Sequence, residues 1–141
     1  MSCSPPEDPQ RSAVYMMETA ELGAHRLHQV PLHTLRKWAR NLCKQYEVPM
    51  PQINSKKKRG YVAVYDPDTE TIELHPKYGR NGLMLAHELA HHIVAHLHPR
   101  AADHGPRWMA TYAELLDAMR LVPKAGARAI ARRHNVRVAN T

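Results

Sequence analysis

With 141 residues, of which 43% are hydrophobic, the chain is long enough to form one domain with a buried core. No segment approaches the roughly 20 consecutive apolar residues of a membrane span, and the N-terminus lacks the apolar stretch of a signal peptide. Only two cysteines are present, and Cys3 lies in a proline-rich segment, so we expect no structural disulfide and a cytoplasmic, reducing setting.

The formal net charge of +7 is unevenly distributed along the chain. No acidic residue follows Asp117, whereas six basic residues do, and a second basic run extends from Lys56 through Arg59. Such clusters suit a polyanion, and nucleic acid fits better than a membrane, because neither segment is clearly amphipathic. A solvated loop and an irregular C-terminus explain the same residues about as well.

The N-terminal half predicts a tail followed by two helices. Residues 1–12 contain three prolines and few apolar side chains, so we predict a disordered tail there. A weak helix is predicted over residues 14–26. A stronger one lies within residues 30–48, where apolar side chains recur every three or four positions between Pro31 and Pro49.

The pattern then changes to that of strands. Residues 51–55 predict a short strand, and residues 60–66 and 71–76 predict two more, joined by a turn at Pro67 into an antiparallel hairpin. The strand over residues 71–75 is a candidate for pairing with an extended peptide, with His75 at its end either facing a cleft or simply exposed.

Two helices follow the sheet. Asn81 can cap a helix over residues 82–96, which is apolar on most sides and therefore central. A second helix is predicted over residues 104–122, with Pro106 in its first turn and Pro123 at its end. The expected organisation is a tail (1–12), one α+β domain (13–122) and a basic C-terminal tail (123–141) that is either a short helix or loose.

The first of these two helices carries the sequence HELAH, residues 87–91. Side chains four residues apart lie one turn apart on the same helical face, so the imidazoles of His87 and His91 can bind one zinc ion. Glu88 lies on the shoulder of that face, where it is better placed to accept a proton from a metal-activated water than to bind the metal.

A catalytic zinc site needs a third protein ligand. His104 is the best candidate, because it follows a connector long enough to reverse the chain and precedes Gly105 and Pro106, which favour a close turn. Glu114 is an alternative, as is a site with no third protein ligand. Cys43 is a conceivable fourth ligand, although its position beside Leu42 on an apolar stripe favours the core.

The residues His87, Glu88, His91, His104, Gly105 and Trp108 resemble the pattern of the SprT-like metalloproteases, which include the Spartan-type proteases of DNA–protein crosslinks. The resemblance covers roughly residues 30–120. It implies a compact zincin-like core of the minigluzincin type, with an N-terminal helix, a small antiparallel sheet, the HExxH helix and a following helix. It also implies a zinc-dependent peptidase acting on proteins associated with DNA. The long family members' second, cysteine-rich zinc-binding region has no counterpart here.

Further residues are candidates for supporting roles around this site. Tyr112 is the first candidate for stabilising the oxyanion, ahead of Tyr61, Tyr65 and Tyr78, although each suits packing better. Asp103 and Asp117 are candidates for orienting a ligand imidazole. The simpler interpretation is that Asp103 caps a helix and that Asp117 is a surface charge.

Two alternative functions remain open at this stage. The first is a regulatory peptidase of the ImmA type, which cuts a repressor-like partner and also uses an HExxH motif. The second is a DNA-binding protein with a structural zinc, which the presence of Glu88 disfavours, because a structural site has no use for a carboxylate beside its ligands.

Overall fold

The computed structural model describes residues 8–57 and 60–140. These residues form a compact α+β fold of five α-helices and a small three-stranded sheet, which packs against α2 and α3. The helices are α1 (Arg11–Met17), α2 (Leu32–Tyr46), α3 (Gly82–Leu97), α4 (Pro106–Ala118) and α5 (Lys124–Arg133). The strands are β1 (Gln52–Ser55), β2 (Ala63–Asp66) and β3 (Thr71–Leu74).

The N-terminal helix is a continuous helical run with changing pitch. After α1 the chain forms a π-helical segment, Glu18–Leu22, and then a 3-10 segment, Gly23–Leu27. The run begins at Arg11, slightly before the predicted start. Val14 and Met17, fully buried, and Leu22, 2% exposed, form its apolar face. Residues 1–7 of the predicted tail, including Cys3, lie outside the described residues.

The sheet is mixed rather than antiparallel, with strand order β1-β3-β2. The predicted hairpin is confirmed, because β2 and β3 pair antiparallel, but β1 pairs with β3 in parallel. The central strand, β3, is also buried, because the side chains of Ile72 and Leu74 are fully inaccessible to solvent. Alternation of polar and apolar residues fixes the faces of a strand but not its direction, so the expected all-antiparallel sheet was wrong.

Helix α3 lies at the centre of the fold, with every residue from 81 to 90 buried. Its start is confirmed, because the Asn81 side chain accepts a hydrogen bond from the backbone N–H of Met84 at 2.9 Å. Helix α4 begins at Pro106, as predicted, and packs along α3. Within the described part of the chain, no helix is both long and apolar enough to traverse a bilayer.

The C-terminal segment packs on the domain rather than extending from it. Pro123 precedes α5, whose Ala127 and Ala131 are buried, as is Val136 beyond it. The backbone N–H of Ala139 donates to the carbonyl of Pro106 at 3.0 Å. The basic residues of this segment are therefore displayed from a folded surface.

Candidate metal centre

Three histidines meet at one point between α3 and α4. His87 and His91 project from successive turns of α3, and His104 projects from the connector just before α4. One ring nitrogen of each lies within 4.8 Å of the corresponding nitrogens of the others. The fold thus brings together the three residues that the sequence singled out as metal ligands.

The donor atoms suit a zinc ion. The Nε2 atoms of His87 and His104 are 3.2 Å apart. Two nitrogens bound to one tetrahedral zinc at about 2.0–2.1 Å would lie roughly 3.3–3.4 Å apart, so the observed separation fits a shared cation. The other ring nitrogen, Nδ1, of each of these two histidines faces a carboxylate. Because an ionised carboxylate only accepts hydrogen bonds, both Nδ1 atoms carry a proton, which leaves the two Nε2 atoms as the nitrogens able to bind an ion.

Glu18 is the carboxylate that orients His87, and the sequence analysis missed it. Its Oε2 accepts hydrogen bonds from His87 Nδ1 and from the hydroxyl of Tyr112, each at 2.7 Å. Glu18 is 1% exposed and lies in the π-helical segment. Burial raises its pKa, but the opposing effect of His87 and the Tyr112 hydrogen bond prevails, so the pKa of Glu18 is lowered.

Asp8 plays the same part for His104. Its Oδ2 lies 2.7 Å from His104 Nδ1, while its Oδ1 accepts the backbone N–H of His104 at 3.1 Å. Gln10 adds a third contact, donating from Nε2 to the His104 carbonyl at 2.9 Å. The segment assigned to a disordered tail therefore supplies, from residue 8 onward, direct contacts to the metal centre. Carboxylates that hold the second nitrogen of a ligand imidazole are typical of zinc sites.

Trp108 packs beneath the three imidazoles. Its ring centroid lies 4.8 Å from that of His87, 5.3 Å from that of His91 and 4.9 Å from that of His104. The indole is fully buried, and its Nε1 donates to the backbone carbonyl of His87 at 3.3 Å. A rigid aromatic surface of this kind restricts the rotation of all three rings.

The electrostatics of the centre favour a cation. Burial and the neighbouring His87 and His104 hold the pKa of His91 well below its usual range. Burial likewise lowers the pKa of His104, against the opposing effect of Asp8. At His87 burial is outweighed by the carboxylates of Glu18 and Glu88, which raise the pKa. His91 and His104 are therefore already neutral, as metal ligands must be, whereas an ion binding at His87 would displace the proton that Glu18 and Glu88 favour there.

Glu88 lies beside this cluster without joining it. Its Oε2 is 3.8 Å from His87 Nε2, and the residue is 7% exposed. Burial raises its pKa above the ordinary value, although His87 and a hydrogen bond from the backbone N–H of Tyr65 act in the opposite direction. A buried carboxyl with a raised pKa next to a metal site has the properties of a general base.

Tyr112 does not occupy the position expected of an oxyanion donor. It is fully buried, and its hydroxyl donates to Glu18, so burial and that carboxylate raise its pKa well above the usual value. Its contact with Glu18 makes it a support of His87, in place of the assigned catalytic role. Tyr15, which the sequence analysis did not consider, is 41% exposed and lies against His87 and His104, with ring centroids 6.1 Å and 5.3 Å away.

A cavity of about 680 Å³ opens over the cluster. The three histidines and Glu88 form its floor, α1 contributes Arg11 and Tyr15, and residues 60–65 form the opposite wall. The edge strand along this cavity is β2. Strand β3 is enclosed between β1 and β2, so the proposed strand addition at residues 71–75 was wrong. His75 instead accepts hydrogen bonds at Nδ1 from the backbone of Lys77 and Tyr78.

The remaining candidates lie elsewhere. Glu114 is beside Tyr46, where burial and the Glu114 carboxylate raise the pKa of the phenol. Asp117 accepts the backbone N–H of Lys124 at 3.1 Å and so stabilises the start of α5. Asp103 is exposed at the rim of the cavity. Cys43 is 2% exposed in the hydrophobic core, and burial raises its pKa to about 11. In the described residues the cluster at His87 contains three ligand side chains.

Comparison of the chain with protein-family models, with curated proteins and with solved structures found no significant match. The assignment of the centre therefore depends on its geometry and chemistry.

Proposed function

We propose that the chain is a zinc-dependent metallopeptidase that hydrolyses peptide bonds in a protein or peptide substrate. The observation that carries this proposal is the arrangement of three histidine ligands on the floor of an open cavity, with the buried carboxyl of Glu88 beside them. Structural zinc sites are usually closed by four protein ligands, whereas catalytic sites have three and leave one position for solvent or substrate.

His87, His91 and His104 would hold the ion, with Glu18 and Asp8 fixing the orientation of two of the rings. When bound, zinc lowers the pKa of a water molecule and polarises the carbonyl of the scissile bond. His91 is partly exposed on the floor of the cavity, which supports access of a substrate from the solvent side of the cluster.

Glu88 is the group we assign to proton transfer. Its carboxylate accepts the proton of the attacking water and returns it to the nitrogen of the leaving amine. Burial serves this role, because a raised pKa makes the carboxylate a stronger base than an exposed glutamate.

The developing oxyanion needs a donor on the cavity side, and Tyr15 replaces Tyr112 as our candidate. Its ring lies against two of the ligand imidazoles and its side chain is accessible. The guanidinium of Arg11 is 5.7 Å from the centre of the Tyr15 ring and lines the same cavity. Both groups donate hydrogen bonds, which is the property that oxyanion stabilisation requires.

Our assignment of the substrate class rests on the free edge of β2. The carbonyl of Val62 accepts the backbone N–H of His75 at 2.8 Å, so Val62 faces β3. Because backbone groups alternate in direction along a strand, those of Ala63 and Tyr65 point away from β3, and all except the Tyr65 N–H, which faces Glu88, are open to a peptide. An extended peptide pairing with this edge would lie across the histidines, so we assign an unfolded or flexible segment as the substrate.

The proposal is tested with the zinc-loaded chain and Glu88→Gln, using casein as an unstructured substrate. The variant retains the three ligands, so it should bind zinc normally and lose activity by about 10²–10⁴-fold. New amino termini measure hydrolysis, and metal analysis measures zinc. Equal cleavage by both proteins would refute the role of Glu88. A zinc-loaded wild-type chain that cleaves neither casein nor a mixed peptide library would refute the peptidase.

Nucleic acid remains the proposed setting, and the exposed cations of the C-terminal segment support it. Arg120, Lys124, Arg132 and Arg137 are exposed, whereas Arg133 pairs with Glu21. Removing the segment would uncover the core, so the appropriate test is charge reversal at Lys124 and Arg132, with DNA binding measured at two salt concentrations. Unchanged affinity in that variant would exclude these two side chains as a DNA contact, and no binding by the wild type would favour a peptidase that acts on a repressor-like protein without contacting DNA.

A further inference from the structure

A second group of potential ligands lies where α3 meets the turn of the hairpin. Glu70, His92 and His96 each present one ligand atom, and these atoms lie within 4.8 Å of one another. His92 and His96 are one turn apart on α3, with ring centroids 4.8 Å apart, and Glu70 is the residue immediately before β3. His92 directly follows His91, so its side chain leaves the helix about 100° away from the first cluster.

His92 is held in the form that binds a metal through Nδ1. Its Nε2 lies 2.7 Å from the carbonyl oxygen of Pro49, and because a carbonyl only accepts, Nε2 carries the hydrogen. The Nδ1 lone pair then accepts a hydrogen bond from the Tyr65 hydroxyl at 2.9 Å, which an ion bound at this nitrogen would displace, and Glu70 Oε1 lies 3.9 Å from the same Nδ1. The imidazole is fully buried, so this orientation is fixed by the fold. Ligand histidines commonly donate their second nitrogen to a carbonyl in this way.

The Glu70 carboxylate is directed at both imidazoles. Its Oε1 contacts His96 Nε2 directly and lies 3.9 Å from His92 Nδ1. The Glu70 backbone is anchored independently, because its carbonyl accepts the N–H of Gln52 at 3.0 Å. The cluster therefore joins α3, the hairpin turn and the start of β1, with His92 buried and the other two side chains partly accessible to ions from solvent.

We propose that Glu70, His92 and His96 form a second divalent metal site, distinct from the centre at His87. Two imidazoles and one carboxylate favour Zn²⁺, Co²⁺ or Ni²⁺ over the oxygen-preferring Ca²⁺ and Mg²⁺. The ion would cross-link the sheet to α3 at a point set apart from the scissile-bond cavity. Its role is structural, since the turn that it fixes carries β2, the strand along that cavity.

The test counts bound metal on the full-length chain. The protein is stripped with a chelator, dialysed against micromolar free Zn²⁺ and, separately, Co²⁺, and measured by native mass spectrometry and elemental analysis. We expect two equivalents in the wild type and one in each of His96→Ala, Glu70→Gln and His104→Ala. The double variant His96→Ala/His104→Ala should retain none. His33→Ala, which removes an exposed histidine of α2, is the matched control and should retain two.

Each failure has a distinct signature. One equivalent in the wild type and none in His104→Ala would overturn the second site while leaving the first intact. Two equivalents in His96→Ala and Glu70→Gln would also overturn it. Thermal melting gives an independent reading: added Zn²⁺ should raise the Tm of His104→Ala but leave that of the double variant unchanged. An unchanged Tm in both variants would contradict the proposed cross-link.

Discussion

Replacing Glu18 with glutamine isolates the effect of one buried charge on the metal centre. The Glu18 Oε2 atom accepts two hydrogen bonds of 2.7 Å, and the residue is 1% exposed. An amide oxygen can accept the same two bonds, so Glu18→Gln preserves the shape and removes the charge. Loss of a carboxylate that orients a ligand histidine typically weakens metal binding 10–100-fold, or about 1.4–2.7 kcal/mol. We expect zinc affinity to fall within that range.

The assay is competition for Zn²⁺ with a chromophoric chelator at neutral pH, preceded by circular dichroism to establish that the variant is folded. Tyr112→Phe is the matched control, because it removes one hydrogen bond to Glu18 and leaves the contact with His87. It should lower the free energy of unfolding by about 0.5–1.5 kcal/mol, with a smaller effect on zinc affinity. A folded Glu18→Gln protein that binds zinc within about twofold of wild type would refute the reasoning, since the outer carboxylate would then contribute nothing.

Three further predictions address other parts of the structure. Asp8→Asn should weaken zinc binding by about 10–100-fold in the same competition assay, since Asp8 orients His104; an unchanged affinity would show that the N-terminal segment is dispensable for the centre. Asn81→Ala should lower the free energy of unfolding in urea by about 1 kcal/mol, because the N–H of Met84 loses its cap and the Tyr78 carbonyl loses the hydrogen bond from Asn81 Nδ2; an unchanged free energy would contradict the cap. Cys43 should resist alkylation at pH 8 in the folded protein and react only after unfolding, because burial raises its pKa from 9.0 to about 11. Peptide mass spectrometry measures the modification, and rapid labelling of the native protein would contradict the burial of Cys43.

The cluster of three histidines could be predicted from the sequence because its arrangement is mostly local. The separation of His87 and His91 by four residues specifies a shared helical face without reference to the rest of the fold. His104 required only the inference that a short connector reverses the chain before the next helix. The same local reasoning placed the Asn81 cap and the hairpin, both of which are confirmed.

The supporting residues could not be found in this way, because they are distant in sequence. Glu18 lies 69 positions from His87, and Asp8 lies 96 positions from His104. One signal was available: Glu18 stands next to Met17 on the apolar face that also carries Val14 and Leu22, where an unpaired acid would be costly. No residue of β1 indicates that this strand pairs with β3 in parallel, because the direction of a strand depends on how it packs against its neighbours.

Glu18 and Asp8 are far along the sequence from the histidines that they contact, and this separation determines when the centre can be completed. Residues 8–18 leave the ribosome early, but the imidazoles that they contact, and the Tyr112 hydroxyl, belong to residues 87–112. Until that later stretch has emerged and formed its helices, the two acids have no partner and the N-terminal run has no surface on which to pack. Packing of α1 onto the domain is therefore one of the last steps of folding during synthesis. A metal bound before that step would be held by imidazoles that are free to rotate.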